Sequence, residues 1–433
     1  MKILQYLCYF SSNIGKAIDI CVLANSKTDE DFSYKLLINK FNEYSIENNL
    51  NITLSLNLIS KENSTLTDYE LAIESLLLKK SKKYDLLYFD NTYTTTLGRY
   101  FLNLEDYIPI EHINNYKDGI ALQTCYYDNH LIGLPITIDF TVLYYNEKLL
   151  QKYNKNYPRT WDELIETARY IVQKEKEANN TLLIGYNGMM SDSETGTCSL
   201  YEFIYTFRDT INSSFPDLQS QNTKNALTKL KQIKEELSSD EIFKSNNAFT
   251  FRNIGKKHIL FGKNWYTPVL YEDYKKDILP GSKNGISGSV LGGYNLSINK
   301  YICEEKRNAA IIAFKFLTTK EIQKSFMLES KQYSPITSFY DDEKVCEVID
   351  CSLYKRLQLI QRPYSADYGT WSSKFRNKIY KYLYDSSISL SNVLKEADKI
   401  TSEYSNSANS KKTFYRLFII IFLFSIFSTF ILI

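Results

Sequence analysis

The chain has 433 residues, 44% of them hydrophobic and 24% charged, which allows a large packed core and two or three domains of ordinary size. Its 52 basic and 50 acidic side chains leave a formal net charge of +2, so no basic field covers the chain and nucleic acid is a poor first choice of partner. The 36 Tyr and 24 Phe stand beside only 15 Gly and 3 Trp, a bias of the kind an AT-rich genome imposes, so no single Tyr or Asn counts as a functional signal.

Residues 1–17 place Lys2 before the apolar patch 3–10 and end in Gly15-Lys16-Ala17, which resembles a short signal peptide. No Leu-x-x-Gly-Cys pattern surrounds Cys8, so a bacterial lipid anchor is not supported. An apolar, β-rich run at 18–24 comes next. Residues 31–47 have helical spacing, with Phe32, Leu36, Phe41 and Tyr44 near one face. Residues 51–59 alternate Ile52, Leu54, Leu56 and Leu58 as a strand does. Residues 67–80 read as a helix and 84–89 as a buried strand. The β-α-β-α-β order implies a parallel sheet with right-handed crossovers. Ligands of such sheets sit at the carboxyl ends of the strands, where Asp90 and Asn91 fall. Asp90 also suits the cap of a following helix.

In 131–145, Pro135 and the polar Asp139 interrupt an apolar run, which reads as two strands or a strand crossing between lobes. A helix then starts after Pro158, with Thr160-x-x-Glu163 as a capping box and Trp161, Leu164, Ile165, Ala168 and Val172 as its buried stripe. The middle third reads as mainly helical, with 226–237 clearly amphipathic. A strand at 258–266, a Gly-rich stretch at 281–293, a strand at 294–298 and a helix at 307–327 with Ala309, Ile312, Phe316 and Leu317 inward complete the pattern. Helices continue to about 403, followed by a Ser/Asn-rich linker at 404–413.

Residues 417–433 carry no charge and cover roughly 26 Å as a helix, near the ~30 Å of a bilayer core. Extended to 414, they read as a C-terminal transmembrane helix. Lys411, Lys412 and Arg416 flank it on the N-terminal side, where the positive-inside tendency conflicts with an extracellular body. The span ends at the last residue, which leaves a single anchor or a further transmembrane domain open.

Of the cysteines outside the leader, the close pair Cys346 and Cys351 is the candidate disulfide. No C-x-x-C, H-E-x-x-H, G-x-S-x-G or P-loop occurs, and His112, His130 and His258 are scattered, so no catalytic residue, metal site or cofactor is assigned and the chain reads as a non-enzyme.

At this point the residues carry a resemblance. YDLLYFDNTY at 84–93, LNLEDYI at 102–108, HLIGLPITIDFTVLYYNEKLLQKY at 130–153, PRTWDELIETARYI at 158–171, GKNWY at 262–266, GSVLGGYNLSINKY at 288–301, the run at 309–342 and RPYSADYGTWSSKF at 362–375 resemble, in order, the family 1 extracellular solute-binding proteins of the maltose and trehalose type. The resemblance covers about 18–400. It implies an α/β, two-lobed periplasmic-binding-protein type II (venus flytrap) fold with hinge strands, lobe one about 18–125 plus 270–340 and lobe two about 140–265 plus 345–403. It implies a cleft that closes over a mono- or oligosaccharide. Carried over by position, Asp90 and Asn91 edge the cleft, Asp139 meets hydroxyls, Trp265 stacks on a ring, Gly293 and Tyr294 match a Gly-aromatic pair, and Arg362 closes the pocket. Trp161 and Trp371 read as core. The chain departs from the family at Ile136 and Thr137, where an aromatic pair is common, at Tyr294 in place of a Trp, and at 25–31, which lacks a Gly-rich loop with Glu.

The resulting expectation is extracellular solute binding by a membrane-tethered domain, laid out like the ectodomain of a class C G-protein-coupled receptor. A sugar-binding component of an ABC transport system, and an adhesion or scaffold ectodomain without ligand, are the alternatives.

Overall fold

The period-two and helical patterns of the first hundred residues become a half-wound α/β sheet in the computed structural model, which describes residues 17–25, 32–59, 66–365, 367–385 and 387–405. Strand Ile18–Asn25, helix Phe32–Glu47, strand Ile52–Ile59, helix Leu66–Leu78 and strand Leu86–Asp90 follow in order. The three strands are parallel, and Tyr294–Ile298 joins them antiparallel to Leu86–Asp90. Among the described residues the first sheet has the order Ile52–Ile59, Ile18–Asn25, Leu86–Asp90, Tyr294–Ile298, Leu134–Pro135. Leu86–Asp90 lies in the middle and is buried along its whole length, as its continuous apolar run requires.

A second sheet has the order Tyr274–Asp277, Thr141–Asn146, Ile259–Trp265, Ile184–Asn187. The chain passes from the first sheet to the second at 136–140, returns through 278–293, and crosses again between the helix Lys320–Ser330 and the helix Tyr368–Tyr384, which packs on the second-sheet helix Glu194–Tyr205. Two of these passages run antiparallel against each other, bridged at Asp139 and Gly292. The apolar core continues through them: one cluster joins Ile20, Leu86 and Leu296 of the first sheet to Val142, Tyr144 and Ile259 of the second.

The helix at Trp161–Glu177 is capped as its sequence specifies, Thr160 Oγ1 accepting from the Glu163 N–H at 3.2 Å. Its stripe of Trp161, Leu164, Ile165 and Ala168 is buried, and Trp161 and Trp371 are both core residues. Cys346 and Cys351 form the expected disulfide, with Cα atoms 5.3 Å apart, tying the helix Glu343–Cys346 to the helix Cys351–Arg356. The bond closes a loop of sequence separation 5, so reduction is expected to cost about 2 kcal/mol, read as a lower urea midpoint in dithiothreitol.

Several elements differ from the sequence reading. The strand Tyr274–Asp277, placed with lobe one, pairs with Thr141–Asn146 of the second sheet, because the chain leaving Trp265 turns back locally instead of crossing. The middle third contains the strand Ile184–Asn187. The helix expected at 307–327 is two, Glu304–Leu317 and Lys320–Ser330: Thr318 returns its hydroxyl to the Phe314 carbonyl and Thr319 caps the second helix. Ile312 faces solvent, and Ala310, Ala313 and Phe314 fill the core instead. The first helix buries Tyr34, Leu37, Ile38 and Phe41, with Leu36 and Tyr44 half-buried. Helix extends over 390–405, into the start of the expected linker. Among the described residues no helix is long and apolar enough to cross a membrane. The expected signal peptide, through residue 16, and the expected span at 414–433 lie outside the described residues.

Candidate ligand-binding crevice

Both sheets turn the carboxyl ends of their parallel strands toward the passages that join them. In the first sheet these ends are Asn25, Ile59 and Asp90, with Tyr294 directly opposite Asp90. In the second they are Asn187 and Trp265, with Thr141 opposite Trp265. The crossing segments lie between: the Asp139 N–H donates to the Gly292 carbonyl at 3.1 Å and the Gly292 N–H to the Asp139 carbonyl at 2.8 Å. Asp139 is exposed within a run of buried neighbours, so its carboxylate stands out of the hinge. Gly292 carries the Trp265 indole: a Cβ there would lie 3.2 Å from that ring and 3.1 Å from the Asp139 Cβ. Gly293 has φ +115°, and a Cβ would stand 2.2 Å from the Thr137 carbonyl, so only glycine fits the close approach. Its own carbonyl accepts from the Asn91 N–H at 3.1 Å. The Tyr294 N–H donates to Thr137 Oγ1, and its hydroxyl accepts from Asn25 Nδ2 at 3.3 Å.

The seven residues singled out by sequence are thus brought together, by strand ends for Asp90, Asn91 and Trp265 and by the hinge for Asp139, Gly293 and Tyr294. Arg362 is placed there too. Its guanidinium, 2% exposed, donates to Asp90, to Asn91 Oδ1 at 2.8 Å and to Glu194 Oε1 at 2.9 Å. Asp90 and Asn91 end a first-sheet strand, and Glu194 opens the second-sheet helix Glu194–Tyr205. Arg362 is therefore a buried strut between the two halves. Asp90 doubles as the cap of the turn Asn91–Tyr93, accepting from the Thr92 N–H at 2.9 Å.

Burial pushes the Asp90 carboxyl up to about 6 although Arg362 opposes it. Burial also works against the charge on Glu194, but Arg362 together with donors from Cys198 and Tyr368 outweighs it and holds that carboxyl below its ordinary range. Glu70 accepts from the Asp90 N–H at 2.7 Å; burial, then the neighbouring Asp90 charge, raise it well above the usual carboxylate range.

Sequence reasoning missed Glu194, Glu70 and Tyr368. Glu194 obeys the same carboxyl-end rule that found Asp90, through the strand Ile184–Asn187; recognising that strand was the available signal. Glu70 and Tyr368 lie on helices and carry no such mark. Among the described residues no three His, Cys, Asp or Glu gather as a metal site.

Below the crossing strands lies a second buried ion pair. Lys263, 2% exposed, faces Glu202, 1% exposed, and donates to Ser199 Oγ at 2.5 Å. The other Glu202 oxygen accepts from Thr141 Oγ1 at 2.6 Å and from the Val290 N–H at 3.2 Å. One carboxylate thereby ties the returning strand at Val290 to the second-sheet strand that begins at Thr141.

Two α/β halves whose strand ends meet at the passages joining them, with the Trp265 indole and the exposed Asp139 at that junction, match the layout of ligand-capturing proteins of the solute-binding class. Residues 39–347 match the bacterial extracellular solute-binding protein model, and the chain belongs to that family. A probable ABC transporter-binding protein of Deinococcus radiodurans is 26% identical over 342 residues, 73% of this chain and 79% of that one. In fold the chain is similar to maltose-bound MalE3 of T. maritima, with TM-score 0.72 and 20% identity over 89% of this chain and 99% of that one. It is also similar to a ribitol-bound ABC transporter solute-binding protein of Agrobacterium radiobacter, with TM-score 0.67 and 17% identity over 90% and 99%.

Proposed function

We propose that the chain captures a carbohydrate or polyol outside the cell for an ABC transport system. The observation that carries this reading is the meeting of Asp139 and the Trp265 indole on Gly292, between Asp90 and Asn91 on one side and the second sheet on the other. An aromatic face covers the C–H surface of a sugar ring, and carboxylate and amide groups bond its hydroxyls. The names of the Deinococcus relative and of the maltose- and ribitol-bound proteins favour the same class. They favour the transport alternative over the receptor ectodomain, which draws no support from the family or these relatives. Tethering through 414–433, with a signal peptide at 1–17, belongs to this proposal on the strength of their sequence alone.

Lobe closure follows from hinge rotation about the crossing strands. In a thermal-shift panel of maltose, trehalose, ribitol and related neutral sugars and polyols, at least one compound is expected to stabilise the protein. At a hundredfold excess over Kd the gain is about 2.7 kcal/mol. A panel without any shift would remove the basis for a neutral polyhydroxylated ligand.

A further inference from the structure

A groove of about 1070 Å³ shares no residue with the crevice described above. It runs between the segment before helix Trp161–Glu177, the loop that follows strand Tyr274–Asp277, and residues 355–359, which lead into the hinge strand Leu359–Ile360. Its size slightly exceeds the usual range of small-molecule sites, about 300–1,000 Å³, and far exceeds what an inorganic ion fills. The accessible lining is partly apolar: Ile211 is exposed and Ile278, Leu357 and Leu359 are half-buried, over the buried Pro158, Leu279 and Ile286. The rim is cationic. Arg356 is paired with Asp277, and Lys355 with Asp341 at 2.7 Å. Arg159 is exposed and forms no ion pair among the described residues, which leaves one positive charge unmatched at the edge of this partly apolar lining.

We propose that this groove is a second ligand site, taking a small amphipathic anion: an organic carboxylate or phosphate ester with a short hydrocarbon body. The anionic head pairs with the Arg159 guanidinium, in the bidentate fashion that suits carboxylate and phosphate alike. The body covers Ile211, Ile278 and Leu357 and so removes apolar surface from water. The proposal is independent of what the crevice binds.

The test is isothermal titration of the protein with hexanoate and hexyl phosphate, and with inorganic phosphate and 1-hexanol as probes lacking body or charge. Hexanoate, hexyl phosphate or both are expected to bind, and the two truncated probes at least about tenfold more weakly. Arg159→Glu is expected to lose about tenfold or more toward the anionic amphiphiles. This exposed side chain makes no contact that folding requires, and an unchanged melting curve checks that. Trp265→Ala, which alters the crevice, is expected to leave hexyl phosphate binding unchanged. No binding by either amphiphile at millimolar concentration, equal affinity in Arg159→Glu, inorganic phosphate or hexanol binding as tightly, or loss in Trp265→Ala would each overturn the assignment.

Discussion

Lys263→Met is expected to destabilise the protein by about 3–5 kcal/mol, because it leaves Glu202 as an uncompensated charge where both partners are nearly sealed from water. The magnitude follows from asymmetry. A buried ion pair contributes little net stability, since each ion gives up its hydration, but removing one partner keeps the desolvation cost and discards the attraction. Glu202 has a second task, accepting from Thr141 Oγ1 on the second sheet and from the Val290 N–H on the returning strand. Lys263→Met/Glu202→Gln removes both charges and keeps an acceptor for those donors, so it is expected to recover most of the loss. Lys263→Met/Glu202→Leu orphans the Val290 N–H, at about 1–3 kcal/mol, and leaves the Thr141 hydroxyl only Ser289 Oγ at 3.1 Å, so it is expected to recover less. Urea unfolding of the four proteins checks the order. A Lys263→Met variant within 1 kcal/mol of wild type, on the scale set by those estimates, would show that the pair carries no such strain on its loss.

Arg362→Met is expected to cost a similar ~3–5 kcal/mol at neutral pH, since Asp90 and Glu194 would then face each other inside the protein without a cation. Here pH supplies a diagnostic. The Asp90 carboxyl already stands at about 6 in the folded state, above its ordinary 3.8, so the folded state holds the proton more tightly than the unfolded chain. Such a group makes stability fall as pH rises through the window between those values, and favours the folded state as pH drops. Without Arg362 the Asp90 carboxyl rises further, and Glu194 loses the partner that keeps it low. The stability gap between wild type and Arg362→Met is therefore expected to narrow from pH 7.5 to pH 5. A gap that stays constant or widens would contradict the paired-carboxylate geometry. Arg362→Lys is expected to rescue only in part, because one ammonium on a flexible stem cannot reproduce the fork that reaches Asp90, Asn91 and Glu194 together.

Much of this fold was legible because its signals are local. Alternation of Ile52 with Leu54, the capping box at Thr160 and Glu163, and the short Cys346–Cys351 spacing each lie within one element or one turn. The position of Asp90 followed from the order of strands and helices before it. What stayed hidden depends on distant partners. Arg362 was singled out by its place in the resemblance, but its partners, Asp90 across 272 residues and Glu194 across 168, leave no local mark in the sequence. The strand Ile184–Asn187 is four residues long with a Gly inside, too short for a period to show. The side taken by Tyr274–Asp277 was decided by a local return of the chain after Trp265, which hydrophobic pattern does not encode. The break at Thr318 turned on two hydroxyl bonds to the backbone, inside what reads as one amphipathic run.

The proposed sugar capture rests most directly on Trp265, which is half-buried beside Asp139 and Gly292, whereas Trp161 and Trp371 are 1% exposed and sealed in the core. Of the three indoles, Trp265 is the one a ligand in the crevice would touch, so a change in intrinsic tryptophan fluorescence during titration with the stabilising sugar or polyol is assigned to it by comparison with Trp265→Ala. A saturable change in the wild-type protein is expected, abolished in Trp265→Ala together with at least about tenfold of affinity, the stacking of one ring being worth roughly 1.4 kcal/mol or more. A ligand that raises the melting temperature yet leaves the fluorescence unchanged, and binds Trp265→Ala as tightly as wild type, would place capture elsewhere.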